Sequence, residues 1–155
     1  MSTRGFEFAY YIDGSTGSPV IRDWPMVADT AGYLKGDLLI LDATGRADKA
    51  GTSTDAVVFA VCQETDTGSV AVDTQMKVAI LTRNQVWRCS TGATAITNWV
   101  KGYTRAGTIT DENTINAAGN TGGCMILIET GTIAGDTNVV AYVSFNATNI
   151  AGQLS

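Results

Sequence analysis

Residues 76–89 read Met-Lys-Val-Ala-Ile-Leu-Thr-Arg-Asn-Gln-Val-Trp-Arg-Cys, and this stretch decides the fold. Its two ends, 76–81 and 86–89, are short runs of apolar, β-branched and aromatic residues, which is the composition typical of β-strands. The four residues between them, 82–85, are mostly polar and suit a turn. The stretch therefore predicts two antiparallel strands joined as a hairpin.

Similar short runs lie on both sides of this stretch. The expected strands are at 38–42, 46–50, 56–62, 70–72, 124–129 and 138–145, with one short helical turn at 95–100. The run 56–62 is apolar throughout, which predicts a strand buried on both faces. Residues 46–50 are expected to return along 38–42 after a turn at 43–45, and the last two strands are expected to form a second hairpin. Because turns recur roughly every eight to twelve residues, we expect an all-β fold, a small β-barrel or β-sandwich with an extended N-terminal arm.

Composition supports this fold class and excludes several functions. Of the 155 residues only 16% are charged, while 45% are hydrophobic, and Thr, Gly, Ser and Asn replace the charged residues that usually cover exposed helices. The net charge is −5, and the basic residues form no cluster. Phosphate backbones and anionic membranes repel such a chain. We therefore expect neither direct nucleic acid binding nor membrane binding.

Residue types needed for common enzymatic chemistry are missing. The chain contains no histidine, so Ser-His-Asp and Cys-His arrangements cannot form within it, and phosphate-binding glycine motifs are absent. The acidic pairs Asp37 with Asp42 and Asp111 with Glu112 lie at strand ends or loops, where solvated carboxylates are expected. The sequence therefore predicts no catalytic residues, no cofactor and no metal site.

Three cysteines occur, Cys62, Cys89 and Cys124, each in or beside an apolar run. Their spacing is wide and no Cys-x-x-Cys pair exists, which disfavours a zinc site. We expect three reduced, buried thiols that act as small core residues. A disulfide between two of them, with one free thiol, is the alternative.

The N-terminal region differs from the rest of the chain. It combines apolar and aromatic residues with the breakers Gly14, Gly17 and Pro19, so it has poor means of making a core of its own. We interpret residues 1–32 as an extended arm and residues 33–155 as a single β-barrel domain. An edge strand folded onto the chain's own barrel is the open alternative. The expected contact residues of the arm are Phe6, Phe8, Tyr10, Tyr11, Ile12, Trp24 and Met26.

No apolar leader and no stretch of ~20 apolar residues is present. We expect a protein that is made in the cytoplasm and stays there, or assembles there into a particle.

The order of features from Tyr33 to Phe145 resembles the small β-barrel decoration proteins of tailed bacteriophages. The resemblance covers about three quarters of the chain. It is carried by Lys35-Gly36-Asp37 before an apolar strand and a Thr-Gly turn, by the alanine-containing strand 56–61, by 78–81 with its return 86–89, and by the closing pair that ends at Phe145. Such proteins place an extended arm ahead of the barrel, as residues 1–32 suggest.

This resemblance implies a virion protein on the outer surface of the capsid, without enzymatic activity. Its partner would be the major capsid protein, bound at junctions between capsid subunits, where many clamps acting together stabilise the shell. A homotrimer is expected, because local threefold sites of an icosahedral shell favour a ring of three.

Two other functions remain open from the sequence. A structural or receptor-binding module of a phage tail or fibre shares this composition, although the chain shows no internal repeat. A small hydrolase or a carbohydrate-binding β-sandwich is the alternative from another class, and the missing histidine disfavours the hydrolase.

Overall fold

The protein is described from a computed structural model, which places residues 5–51, 58–90, 106–116, 125–130 and 140–145. These residues form eleven β-strands and no helix. The strands are β1 Glu7–Tyr11, β2 Ile21–Pro25, β3 Leu38–Leu41, β4 Ala47–Lys49, β5 Val58–Cys62, β6 Gln75–Ile80, β7 Gln85–Ser90, β8 Ala106–Asp111, β9 Thr114–Asn116, β10 Met125–Thr130 and β11 Val140–Phe145. The predicted all-β class is confirmed, and the predicted helical turn at 95–100 lies outside the described residues.

Two antiparallel sheets build a sandwich-like fold. The first sheet has six strands in the order β1-β7-β11-β10-β8-β9, and the second has five in the order β2-β6-β5-β3-β4. The main core lies between them, where Leu38 and Val61 of the second sheet share one cluster with Trp87 and Val143 of the first. As predicted, β5 is buried along its whole length, because a second apolar cluster covers the other face of its sheet.

The hairpin predicted for residues 76–89 is wrong. Strand β6 belongs to the five-stranded sheet and β7 to the six-stranded one, so the chain crosses between sheets at the intervening turn. The side chain of Gln85, only 2% exposed, holds this crossing. It donates a hydrogen bond to the Ile80 carbonyl oxygen and accepts hydrogen bonds from Thr82 N–H and Trp87 Nε1–H. These bonds satisfy two backbone groups at the crossing and the buried indole N–H of Trp87.

The other predicted strand pairs have mixed outcomes. Strands β3 and β4 pair antiparallel, as do β10 and β11, which confirms these two predicted pairs. The strand expected at 70–72 is reduced to one bridge between Val70 and Asp29, since a turn over Val72 and Asp73 follows at once. Asp73 has a positive φ of 65°, which an extended strand does not permit.

The N-terminal region is built into both sheets. Strand β1 pairs with β7 and forms one edge of the six-stranded sheet, while β2 pairs with β6 and forms one edge of the five-stranded sheet. Residues 7–11 and 21–25 are therefore edge strands folded onto the chain's own sheets, which is the alternative to an extended arm. The physical reason is burial, because Phe6 and Met26 are 2% and 0% exposed within the chain's own two clusters.

The five-stranded sheet curls until its outer strands meet. Met26 forms a single parallel bridge with Ala47, and Val27 N–H donates to the Ala47 carbonyl oxygen. Nearby, Trp24 Nε1 donates to the Gly45 carbonyl oxygen at 2.9 Å. Because only one bridge joins the two edges, the sheet does not close as a continuous barrel ladder. The second apolar cluster fills the inside of the curl.

Candidate interaction surface

The seven predicted contact residues divide into two groups. Phe6, Phe8, Trp24 and Met26 are buried or half-buried against the chain's own clusters, and the half-buried Tyr11 packs against the ring of Phe8. Aromatic neighbours explain three of them, since Phe6 packs on Phe145, Phe8 on Trp87 and Trp24 on Phe59, with ring centroids 5.7, 5.6 and 4.9 Å apart. Only Tyr10 and Ile12 are exposed, by 39% and 53%. The side chains available to a partner are therefore fewer than the sequence suggested.

Four exposed apolar residues flank one corner of the molecule, where the chain crosses from β6 to β7. Tyr10 pairs with Val86, and Ile12 N–H donates to the Asn84 carbonyl oxygen. On the other sheet, Val20 accepts a hydrogen bond from Ile80 N–H, and Ile21 pairs with Ala79. All four residues thus lie beside the crossing between β6 and β7. We call Tyr10, Ile12, Val20 and Ile21 the apolar corner.

Val20 and Ile21, 52% and 40% exposed, were not predicted as contact residues. Their sequence signal was weak, because two β-branched residues after a proline look the same whether the strand is central or at an edge. Exposed β-branched side chains at a strand end contribute little to the chain's own stability, but they provide apolar area for a partner.

Two arginines stand beside the apolar corner. Arg83 lies in the crossing turn and Arg22 in β2, and both are exposed. Within the described residues neither forms an ion pair, whereas Asp23 of the same strand is paired with Lys77. The carboxylate at this corner, Asp13, accepts a hydrogen bond from Ser15 N–H, and hydrogen bonds from Ser15 lower its pKa. The corner thus offers guanidinium groups in a chain of net negative charge.

The outer face of the six-stranded sheet next to the corner is polar and aromatic. Glu7 forms an ion pair with Arg88, and this pairing raises the pKa of Arg88. The rings of Tyr10 and Tyr142 lie 6.5 Å apart, centroid to centroid. The Tyr10 ring of the corner therefore has an aromatic neighbour on this face of the sheet.

Asp37 and Asp42, one of the two acidic pairs considered from the sequence, have separate hydrogen-bond partners. Asp37 is only 1% exposed, and its Oδ2 accepts a hydrogen bond from Leu34 N–H at 2.9 Å. Burial raises its pKa, and the charge of Glu112 adds to the rise. The predicted partner Asp42 instead accepts hydrogen bonds from Thr44 and Arg46 in its own turn. A carboxyl group buried to this degree supports the loop around it and is closed to a substrate.

One open groove of about 490 Å³ is lined by polar and acidic residues of two turns. Its lining residues are Glu64, Thr65, Asp66, Thr74, Gln75 and Met76. Glu64 Oε2 accepts the Lys77 N–H, and Asp66 Oδ1 accepts the Gly68 N–H. The Glu64 carboxylate therefore ties the loop after β5 to the backbone of β6, and the Asp66 carboxylate stabilises its own loop.

The thiols described are buried. Cys62 Sγ donates to the Glu64 carbonyl oxygen and Cys89 Sγ to that of Asn113, and neither forms a disulfide. Burial raises the pKa of Cys62 to about 11, so its thiol stays protonated at neutral pH. Cys124 lies outside the described residues, and the prediction of three free thiols stays a prediction for it.

In the described ranges no group of three or more Cys, Asp or Glu side chains is arranged to hold a metal ion. Over the same ranges, no helix has the length and apolar character needed to cross a membrane. No protein-family model matches the chain, and neither a curated protein nor a solved structure does.

Proposed function

We propose that this chain is a non-enzymatic structural protein that binds the outer surface of a tailed-phage capsid and stabilises the shell. Its partner is the major capsid protein, and its place is the virion. The order of sequence features between Tyr33 and Phe145 supports this proposal, because it resembles that of decoration proteins. The exposed apolar corner is the observation on which the docking surface rests.

The docking surface in this proposal is the apolar corner, not the whole N-terminal region. Phe6 and Met26 are already buried in the chain's own clusters, so a partner cannot cover them without unfolding the edges of both sheets. Ile12 and Val20, each exposed by more than half, lose water on docking and so favour association. Many weak contacts of this kind, repeated over a shell, resist rupture together.

Assembly into a homotrimer is part of the proposal. Threefold positions of an icosahedral shell are matched by a ring of three identical subunits with head-to-tail contacts. Light scattering of the free protein should give three times the subunit mass of 16.2 kDa. A monomer mass at high concentration contradicts the trimer and leaves capsid binding to be judged separately.

Co-sedimentation with expanded heads tests the proposed function. The heads are assembled from the major capsid protein of the genome that carries this chain's gene. Wild-type protein should sediment with them, and Ile12→Asp should bind at least about tenfold more weakly, because a buried charge replaces an apolar contact.

Val72→Asp is the matched control, since Val72 is 54% exposed against 53% for Ile12 but lies away from the corner. It should bind as the wild type does. Equal binding by the two variants contradicts the docking surface, and failure of the wild-type protein to sediment contradicts the function.

A further inference from the structure

The outer edge of β2 has a short segment that pairs with no other strand among the described residues. In its ladder with β6, Val20 accepts from Ile80 N–H, and Met26 N–H donates to the Thr74 carbonyl oxygen. Antiparallel strands alternate bonded and outward residues, so the backbone groups of Ile21 and Asp23 point away from β6. Arg22 Nη1 donates to the Ile21 carbonyl oxygen, as expected for a carbonyl that has no strand partner in the described part of the chain.

The rest of this edge is closed. From Trp24 onward β2 meets β4, through the Trp24 bond to Gly45 and the bridge between Met26 and Ala47. At the other end Pro19 is buried and has no N–H to offer. The open segment is therefore limited to residues 20–23, all of them exposed. It is long enough to receive a short extended peptide and too short to extend a sheet indefinitely.

The side chains around the open segment indicate the chemistry of that peptide. Val20 and Ile21 offer apolar surface, and the guanidinium groups of Arg22 and Arg83 form no ion pair with the described residues. A strand that carries carboxylates beside apolar residues complements both features, because a guanidinium binds a carboxylate through charge-assisted hydrogen bonds. A basic strand would bring like charges together.

A second copy of this chain fits the segment poorly. In such a pair, residues whose backbone groups point away from β6 must lie opposite the equivalent residues of the second copy. This requirement leaves few antiparallel registers. Setting Ile21 opposite Ile21 of the second copy places Asp23 opposite Pro19, which cannot donate. Shifting the register places Arg22 opposite Arg22 or Asp23 opposite Asp23, and like charges directly opposite are destabilising.

We propose that residues 20–23 bind an extended acidic strand of a different protein, which adds to the five-stranded sheet at this edge. Strand addition of this kind gains affinity from backbone hydrogen bonds and specificity from alternate side chains. The inference rests on the proposed function only in taking the capsid protein as the source of the strand. The chemistry of the binding edge stands on the structure of this chain.

Titration with two synthetic peptides tests the inference without using heads. One peptide alternates valine and glutamate, and the other has lysine in place of glutamate. In ¹⁵N-labelled full-length protein, the acidic peptide should shift the amide resonances of Ile21 and Asp23. At saturation it should slow their hydrogen exchange at least about tenfold. The lysine peptide should do neither.

Charge reversal gives the matched comparison. Arg22→Glu should weaken the acidic peptide at least about tenfold, whereas Lys35→Glu, which changes the net charge equally at another exposed site, should leave its affinity unchanged. Four outcomes overturn the inference. They are equal affinity for both peptides, hydrogen-exchange protection at another strand edge, and no response to the acidic peptide up to about 1 mM. The fourth is a stronger response to oligothymidylate, a single-stranded nucleic acid, than to the acidic peptide. None of them alters what co-sedimentation says about the proposed function.

Discussion

Gly5 and Gly36 cross so closely that a Cβ on Gly36 would lie 2.9 Å from the Cα of Gly5. Both residues have positive φ values, 85° and 100°. Phe6 N–H donates to the Gly36 carbonyl oxygen at this crossing. The crossing therefore joins the start of β1 to the turn before β3, and so fixes the two sheets relative to each other.

Gly36→Ala should lower the free energy of unfolding by about 1–3 kcal/mol more than Gly14→Ala does. Both substitutions force an L-residue into positive φ, but a Cβ on Gly14 would meet no atom of the described residues within 4 Å, whereas one on Gly36 would meet the backbone of Gly5. Urea unfolding of the two variants measures the difference. Equal loss in both would mean that the close approach has no energetic consequence.

Removing the N-terminal region should unfold the protein. Phe6→Ala should lower the free energy of unfolding by about 3–5 kcal/mol, as expected for a buried aromatic residue, and deletion of residues 2–30 should abolish the cooperative transition because both sheets lose an edge strand. Thermal unfolding followed by circular dichroism measures both. Ile12→Ala is the control and should stay within about 0.5 kcal/mol of the wild type. A folded truncated protein would show that residues 33–155 form a complete barrel.

Gln85→Ala should lower the free energy of unfolding by about 2–3 kcal/mol. The substitution removes the three hydrogen bonds that hold the crossing and leaves Ile80, Thr82 and Trp87 groups unpaired. Gln75→Ala, at an exposed position, is the control and should change the free energy of unfolding by no more than about 0.5 kcal/mol. Denaturant titration gives both values, and a neutral Gln85→Ala would mean that water replaces these bonds.

The free energy of unfolding of Asp37→Asn should increase relative to that of the wild type as pH rises. Burial and Glu112 raise the pKa of Asp37 above its ordinary 3.8, so its ionised form is disfavoured in the folded state. The wild type therefore has the full contribution of this group below about pH 3.8 and loses it as pH rises through the folded pKa. Urea unfolding of both proteins from about pH 3.5 to about pH 7 measures the difference. A difference that stays constant with pH would contradict the raised pKa.

The Cys62 thiol should react slowly in the folded protein. A pKa raised from 9.0 to about 11 leaves about 100-fold less thiolate at pH 8, and burial further limits access. A chromogenic thiol reagent should therefore detect three thiols in the denatured protein. It should react far more slowly with the folded protein, before denaturant is added. The Cys62→Ala variant identifies this thiol, and a single thiol in unreduced, denatured protein would mean that a disulfide exists.

The sequence predicted the fold class and most strand positions because alternation and β-branched composition are local signals. It could not predict how residues 76–89 connect the sheets, since a four-residue turn is compatible with a hairpin or a crossing. The deciding contacts of Gln85 join the end of β6 and the Thr82 N–H of the turn to Trp87, and a glutamine at a turn gives no sign of burial. For the same reason Phe6 and Ile12 give the same sequence signal, although Phe6 is buried and Ile12 is exposed.

The pairing of β1 with β7 has a consequence for synthesis on the ribosome. Phe8 has Trp87 as its ladder partner, so the aromatic residues of the first strand emerge long before the strand that covers them. Until then, they can contact only each other or a chaperone, and the nascent chain is exposed to aggregation. Because distant segments must meet before either sheet is complete, folding should be slow compared with a helical protein of this size.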